Sequence, residues 1–158
     1  MSLHRDLVVC VRLVSSFESQ SMLNVFVYGT LQPGERYHDR YCGDRVVATQ
    51  PAMVRGKLYH LPPVNYPAMT PGKSWVKGVI LSFEDPRSIE KLDELEGFKP
   101  DRNPLENDYN RYEIEVFAPD NPTRSIGIAW AYFMNWERIQ QLQGIRLSDG
   151  IWREIKKA

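Results

Sequence analysis

The sequence predicts an α+β domain, a small, mostly antiparallel β-barrel with a few flanking helices. Three observations lead there. Short apolar or alternating runs recur from Val25 to Phe133, each of strand length and bounded by Gly, Pro, Asn or Asp. Only one segment, RSIEKLDELEGF, carries a clear helical period. The connections are short, with no repeat and no low-complexity stretch.

The elements follow in order. LNVFV opens the pattern as a buried strand that stops at Tyr28-Gly29-Thr30-Leu31 and a Pro33-Gly34 turn. Gln32 to Cys42 is polar, with Tyr37 and Tyr41 four apart, and has room for a short helix. RVVATQPAMVRGKLYHL reads as two strands around Gln50-Pro51, and NYPAMTPG as a proline-punctuated loop. WVKGVILSF is a strand, with Gly78 a bulge or close-approach point. In the helix that follows, Ile89, Leu92 and Leu95 form the apolar stripe and Gly97 the stop. KPDRNPLEND is a loop. RYEIEVFAP and IGIAWAYFM alternate as paired strands about a turn at Asp120-Asn121-Pro122, and the tail holds short helical pieces with a turn at Ser148-Asp149-Gly150.

The 158 residues suffice for one domain with a core. The expected unit is 22–158. Residues 1–21 read as an N-terminal extension or an added edge strand, since Val8, Val9, Val11 and Val14 suit a strand. Arg12 interrupts that apolar stretch, which argues against a secretory signal. Formal net charge is zero, so no general grip on nucleic acid or an anionic membrane is expected. No apolar run approaches the roughly 20 residues that cross a bilayer. Cys10 and Cys42 make neither a disulfide framework nor a metal cluster, which fits a reducing, cytoplasmic setting. His4, His38 and His60 are scattered, so no metal site is expected. Nucleophile elbows, P-loops and dinucleotide fingerprints do not occur.

Three stretches could carry chemistry. At Tyr28-Gly29-Thr30-Leu31 the chain can turn sharply and offer successive N–H groups to an anion, or simply turn. LDELEGF crowds Asp93, Glu94 and Glu96 together at a helix C-terminus, where the macrodipole disfavours negative charge. Glu96 lies beside the buried edge, while Asp93 and Glu94 are expected to face water. Burial would raise the proton affinity of Glu96, which suits a general acid or base; a solvated acidic face is the plainer alternative. In YNRYEIEV, Tyr109 and Arg111 share one side of a strand, as a rim tyrosine and an arginine paired with an acid. Tyr132, in WAYFM, reads by itself as core.

Taken in order, Tyr-Gly-Thr-Leu, Pro-Gly, Leu-Asp-x-x-Glu-Gly and Tyr-x-Arg resemble the γ-glutamylcyclotransferase-like superfamily. The branch they are most similar to contains the plant avirulence-induced proteins and the γ-glutamylamine cyclotransferases. The resemblance runs from about Asn24 to Asn135. It implies a β-barrel with a small cavity, Glu96 as the catalytic base, substrate held by Tyr28, Gly29, Thr30 and Leu31 through their backbone, and Tyr109 and Tyr132 lining the cavity. It implies a small γ-glutamyl substrate that cyclises to 5-oxoproline and releases an amine, with no metal or organic cofactor. A lyase acting on a γ-glutamyl biosynthetic intermediate and a non-catalytic ligand-binding module are the alternatives on the same scaffold. Two departures bear on the leaving amine. Tyr37 stands where many relatives have a small polar residue, and the loop Lys99 to Asp108 is long.

Overall fold

The structure is a computed structural model that describes residues 22–154. The sequence expectations for residues 1–21 lie outside the described residues.

The apolar strand β1 (Leu23–Val27) is buried on both faces. Val25 and Val27 pack outward into one core cluster, while Phe26 and then Tyr28 point into another built from every long strand. A strand without a solvent face has no reason to alternate, which is why VFV is an unbroken apolar run. After it come a single helical turn α1 (His38–Tyr41), the long strands β2 (Val46–Leu61) and β3 (Tyr66–Phe83), and helix α2 (Ser88–Glu96). Strands β4 (Asn110–Ala118) and β5 (Asn121–Phe133), helix α3 (Trp136–Gln141) and the two-residue strand β6 (Ile145–Arg146) complete the order. The sheet runs β3–β1–β5–β4–β2–β6, and β3 also pairs β2, so five strands close into a barrel with β6 appended. Pairing is antiparallel except between β1 and β5, which meet in parallel with Val25 opposite Trp130.

Two sequence readings are corrected. The region around Gln50-Pro51 is one continuous strand, paired with β3 from Val46 to Leu61 with irregularities at Val46/Ala48 and Arg55/Lys57. Pro51 is exposed and lies before Met53, where β4 first joins, so this part of β2 is an edge that needs no N–H there. NYPAMTPG is not a loop. Tyr66 to Thr70 continue β3 opposite Leu61 to Lys57, and Pro71 falls in the stretch between Thr70 and Trp75 that has no partner in β2. Gly78 is a close-approach point, since a Cβ there would sit 2.2 Å from the Val27 carbonyl oxygen.

The tail folds back over the barrel. The Leu147 N–H donates to Leu58 O (2.8 Å) and the Lys77 N–H to Gly150 O (2.8 Å). The Trp152 indole N–H donates to Nδ1 of His60 (3.1 Å), both side chains being buried. Burial lowers the His60 pKa, which keeps the ring neutral and able to accept. Beyond it Glu154 pairs with Arg36 (3.0 Å), whose guanidinium also donates to Asn65 O. Among the described residues, no helix is long and apolar enough to cross a membrane.

Candidate active site

Helix α2 places the carboxylates. Leu92 is fully buried and Glu96 is four residues on, so Glu96 shares its inward face. The helix stops at Gly97, which takes the left-handed conformation (φ 65°). The Phe98 N–H returns to Asp93 O (2.9 Å) and the Gly97 N–H to Glu94 O, satisfying the last carbonyls. A Cβ at Gly97 would come within 2.6 Å of Asp108 Oδ2. The chain then runs through a braced loop, in which buried Asn107 accepts from Lys99 N–H and the Arg102 guanidinium and donates to Asn110. The loop brings Asp108 and Tyr109 back beside the helix end. Their N–H groups donate to Gly97 O (3.3 Å) and Glu96 O (3.2 Å), fixing the start of β4 against Glu96.

The end of β1 forms the opposite wall. Gly29 is needed because the ring of Pro67 packs where a Cβ would be, 2.4 Å from Pro67 Cγ. Its φ is not in the left-handed region, so close approach rather than conformational freedom explains this glycine. Leu31 is buried and anchors the turn, and Thr30 O accepts from the Tyr37 N–H (2.9 Å). No acceptor among the described residues takes the N–H of Gly29, Thr30 or Leu31.

Between these walls lies a cavity of about 220 Å³. Tyr28, Gly29, Thr30, Leu31, Glu96, Tyr109 and Tyr132 all line it, although nothing local in the sequence forces these segments together. The tyrosines are tied down. Tyr109 O–H donates to Pro67 O (2.5 Å), Tyr28 O–H to Tyr132 O (2.6 Å), and Tyr132 O–H to Asp93 Oδ1 (2.7 Å). Burial raises the pKa of each well above the phenol range, so all three stay protonated near neutrality.

Glu96 is the unusual group. Its side chain makes no hydrogen bond among the described residues, and it is only partly exposed, along the cavity. Burial, reinforced by the negative charges of Asp93 and Asp108, raises its pKa to about 8. Such a carboxyl can hold or release a proton close to neutral pH, in the cavity that Gly29, Thr30 and Leu31 also line.

Asp93 corrects the sequence reading. Its side chain is 13% exposed and accepts a two-pronged hydrogen bond from Arg111, at 2.8 and 3.2 Å. The acid expected as a partner for Arg111 is therefore Asp93 itself, and only Glu94 faces water. The signal was present: Asp93 is four residues after Ile89, on the edge of the apolar stripe. Sequence reasoning also missed Tyr66, Pro67 and Asp108, which line the cavity. Tyr66 and Pro67 were hidden by reading their strand as a loop. Tyr37, noted only as a departure, lines the cavity too, with its ring edge-on to Tyr41.

Comparison with known proteins finds a family sequence model described as γ-glutamyl cyclotransferase, AIG2-like, that matches residues 25–154. The chain belongs to this family. The match continues past the Asn135 limit expected from motifs, so the folded-back tail is part of the AIG2-like unit. Among solved structures, the Arabidopsis thaliana protein At5g39720.1 is similar with a TM-score of 0.56 and 23% identity, over 78% of this chain and 83% of that one. A mouse AIG2-like protein aligns with a TM-score of 0.54 and 23% identity, over 72% and 77%. YkqA from Bacillus subtilis has a TM-score of 0.56 and 22% identity; the alignment covers 83% of this chain but only 39% of YkqA. These likenesses establish the AIG2-like fold. No curated protein sequence matches the chain.

Proposed function

We propose that the cavity binds a γ-glutamyl amide or peptide and cyclises it to 5-oxoproline with release of the amine. The observation that carries this reading is the Glu96 carboxyl, its pKa raised to about 8, lining the same small cavity as Gly29, Thr30 and Leu31, whose N–H groups have no acceptor among the described residues. The substrate carries its own nucleophile, the α-amino group, which is protonated and inert at neutral pH. A carboxylate whose pKa approaches that of an amine can take this proton with little energetic penalty. The freed nitrogen attacks the γ-carbonyl carbon, a C–N bond forms to close the five-membered ring, and the bond to the departing nitrogen breaks. Glu96 passes its proton to that nitrogen, then takes the second proton from the ring nitrogen and hands it to the departing amine, which leaves as an ammonium while the carboxylate ends the cycle as it began. The loop N–H groups are the donors for an anionic oxygen of the substrate or of the tetrahedral intermediate. Confining the folded-back conformer supplies a further rate advantage, since both reacting groups belong to one molecule.

The family membership supports this class of activity, and the AIG2-like fold accommodates it. The test is 5-oxoproline formation across a panel of γ-glutamyl amines and peptides. Glu96→Gln is expected to lower turnover by about a hundredfold to ten-thousandfold while substrate still binds. Glu94→Gln, on the exposed side of the helix, is the control and should turn over like wild type. Tight binding of a γ-glutamyl compound without turnover by the wild type would replace the enzyme with a binding module.

A further inference from the structure

Asp93 stands where helix electrostatics do not favour a carboxylate. It is in the last turn of α2, near the negative end of the helix dipole, and almost out of solvent. Its partners hold it there. Arg111 Nε donates to Oδ1 and a terminal guanidinium nitrogen to Oδ2, while the Tyr132 hydroxyl donates to Oδ1 as well. Arg111 is fixed in turn, its guanidinium carbon 4.3 Å from the ring centre of Trp130 and 5.1 Å from that of Phe98. All three bonds are donated to Asp93, so the ionised form satisfies its partners fully. Asp93 does not line the cavity and so touches no substrate there. It does stand three residues before Glu96, and side chains at that spacing are neighbours on a helix.

We propose that Asp93, clamped by Arg111 and Tyr132, is a positioning residue whose fixed negative charge adds to burial in raising the pH at which Glu96 gives up its proton. The other groups facing Glu96 are few. Tyr28 after β1, Tyr37 before α1, Tyr66 on β3, Tyr109 at the start of β4 and Tyr132 on β5 are phenols. Asp108 is a second carboxylate, but it is about half exposed and paired with Arg138 of α3 at 2.9 Å. Glu94 on the same helix points to solvent. Asp93 is thus the nearby negative charge that solvent screens least; Arg111, equally shielded, offsets part of it, and Asp93, on the same helix as Glu96 three residues away, adds the remainder to burial in holding the proton on Glu96. The catalytic consequence rests on the cyclotransferase reading; the titration itself does not.

The experiment measures the pH dependence of unfolding for each protein against its own Glu96→Gln counterpart, which isolates the Glu96 titration without any turnover. Asp93→Asn keeps the size and removes the charge, and the Glu96 midpoint is expected to move down by about one pH unit. Because Asp93→Asn leaves Arg111 without its counter-ion, Asp93→Asn with Arg111→Met is the second background; Met can still lie against Trp130 and Phe98, and a smaller downward shift is expected because the opposing guanidinium charge goes as well. Arg111→Lys, which keeps the pair, should leave the midpoint at its wild-type position. The rising limb of kcat/KM against pH should move with the midpoint in every variant. An unchanged midpoint in both neutral backgrounds, or loss of the fold in both, would overturn the proposal and leave Asp93 as a brace only. Wild type that turns over no γ-glutamyl compound would defeat the cyclotransferase reading and leave this titration readable.

Discussion

Keeping the Glu96 carboxyl beside the cavity makes the fold weaker as the solution becomes more alkaline. Its folded pKa, about 8, lies above the ordinary glutamate value of 4.5, so between those values the folded protein holds a proton that the unfolded chain has lost. The stabilisation is complete below about pH 4.5, falls as pH rises, and is gone once pH passes about 8. Glu96→Gln cannot ionise and escapes this loss. We expect its free energy of unfolding to lie close to wild type near pH 5 and to exceed it at pH 9, by about 3 kcal/mol after allowing for partial solvent screening. Calorimetry or chemical unfolding at the two pH values checks this, and equal pH dependence would contradict the buried-acid assignment. At the same scale, Tyr132→Phe removes only the hydroxyl that donates to Asp93. A loss of about 1–2 kcal/mol in urea unfolding is expected, since that bond is made to a charged acceptor.

The elements owe their site geometry to two glycines, for different reasons. Gly97→Ala forces a side chain into the left-handed region and against Asp108, so it should cost about 1–2 kcal/mol and disturb the turn that carries Glu96. Gly29→Ala meets Pro67 instead and must push β3 away from the end of β1. We expect Gly29→Ala to impair substrate binding more than stability, read as KM or a ligand titration against a melting curve. Much of this was legible in advance. The helix with its stripe and glycine stop and the alternating strands β4 and β5 followed from periodicity, and the buried β1 from its unbroken apolar run. The long strands β2 and β3 were not, because prolines usually punctuate. Here Pro51 lies on an edge and Pro71 beside an unpaired stretch, where no ladder N–H is missed. The Asp93–Arg111 pair was half legible. Tyr-x-Arg called for an acidic partner, but choosing Asp93 required knowing which face of α2 meets β4 and β5.

For the molecule as a whole, the folded-back tail is a structural component. Trp152 is 3% exposed and fills the barrel core with Phe26, Val54, Leu58 and Met69 around it. Trp152→Ala should therefore lower stability by about 3–5 kcal/mol. Trp152→Phe, which keeps most of the packing but loses the bond to His60, should cost far less; guanidinium unfolding compares the two. The parallel pairing of β1 with β5 has a consequence in time. Tyr28 and Tyr132, joined by a hydrogen bond, are 104 positions apart in the chain. During synthesis β1 emerges early and can pair with β3, but its other edge has no neighbour until β5 has left the ribosome. Contacts of this separation are slow to form. A growing chain stalled before residue 121 should thus be cut rapidly by protease and remain sticky at the open edge, whereas one released through residue 154 should resist. The cavity wall formed by Gly29 to Leu31 follows the first of the described strands to be made, yet it takes its final shape among the last.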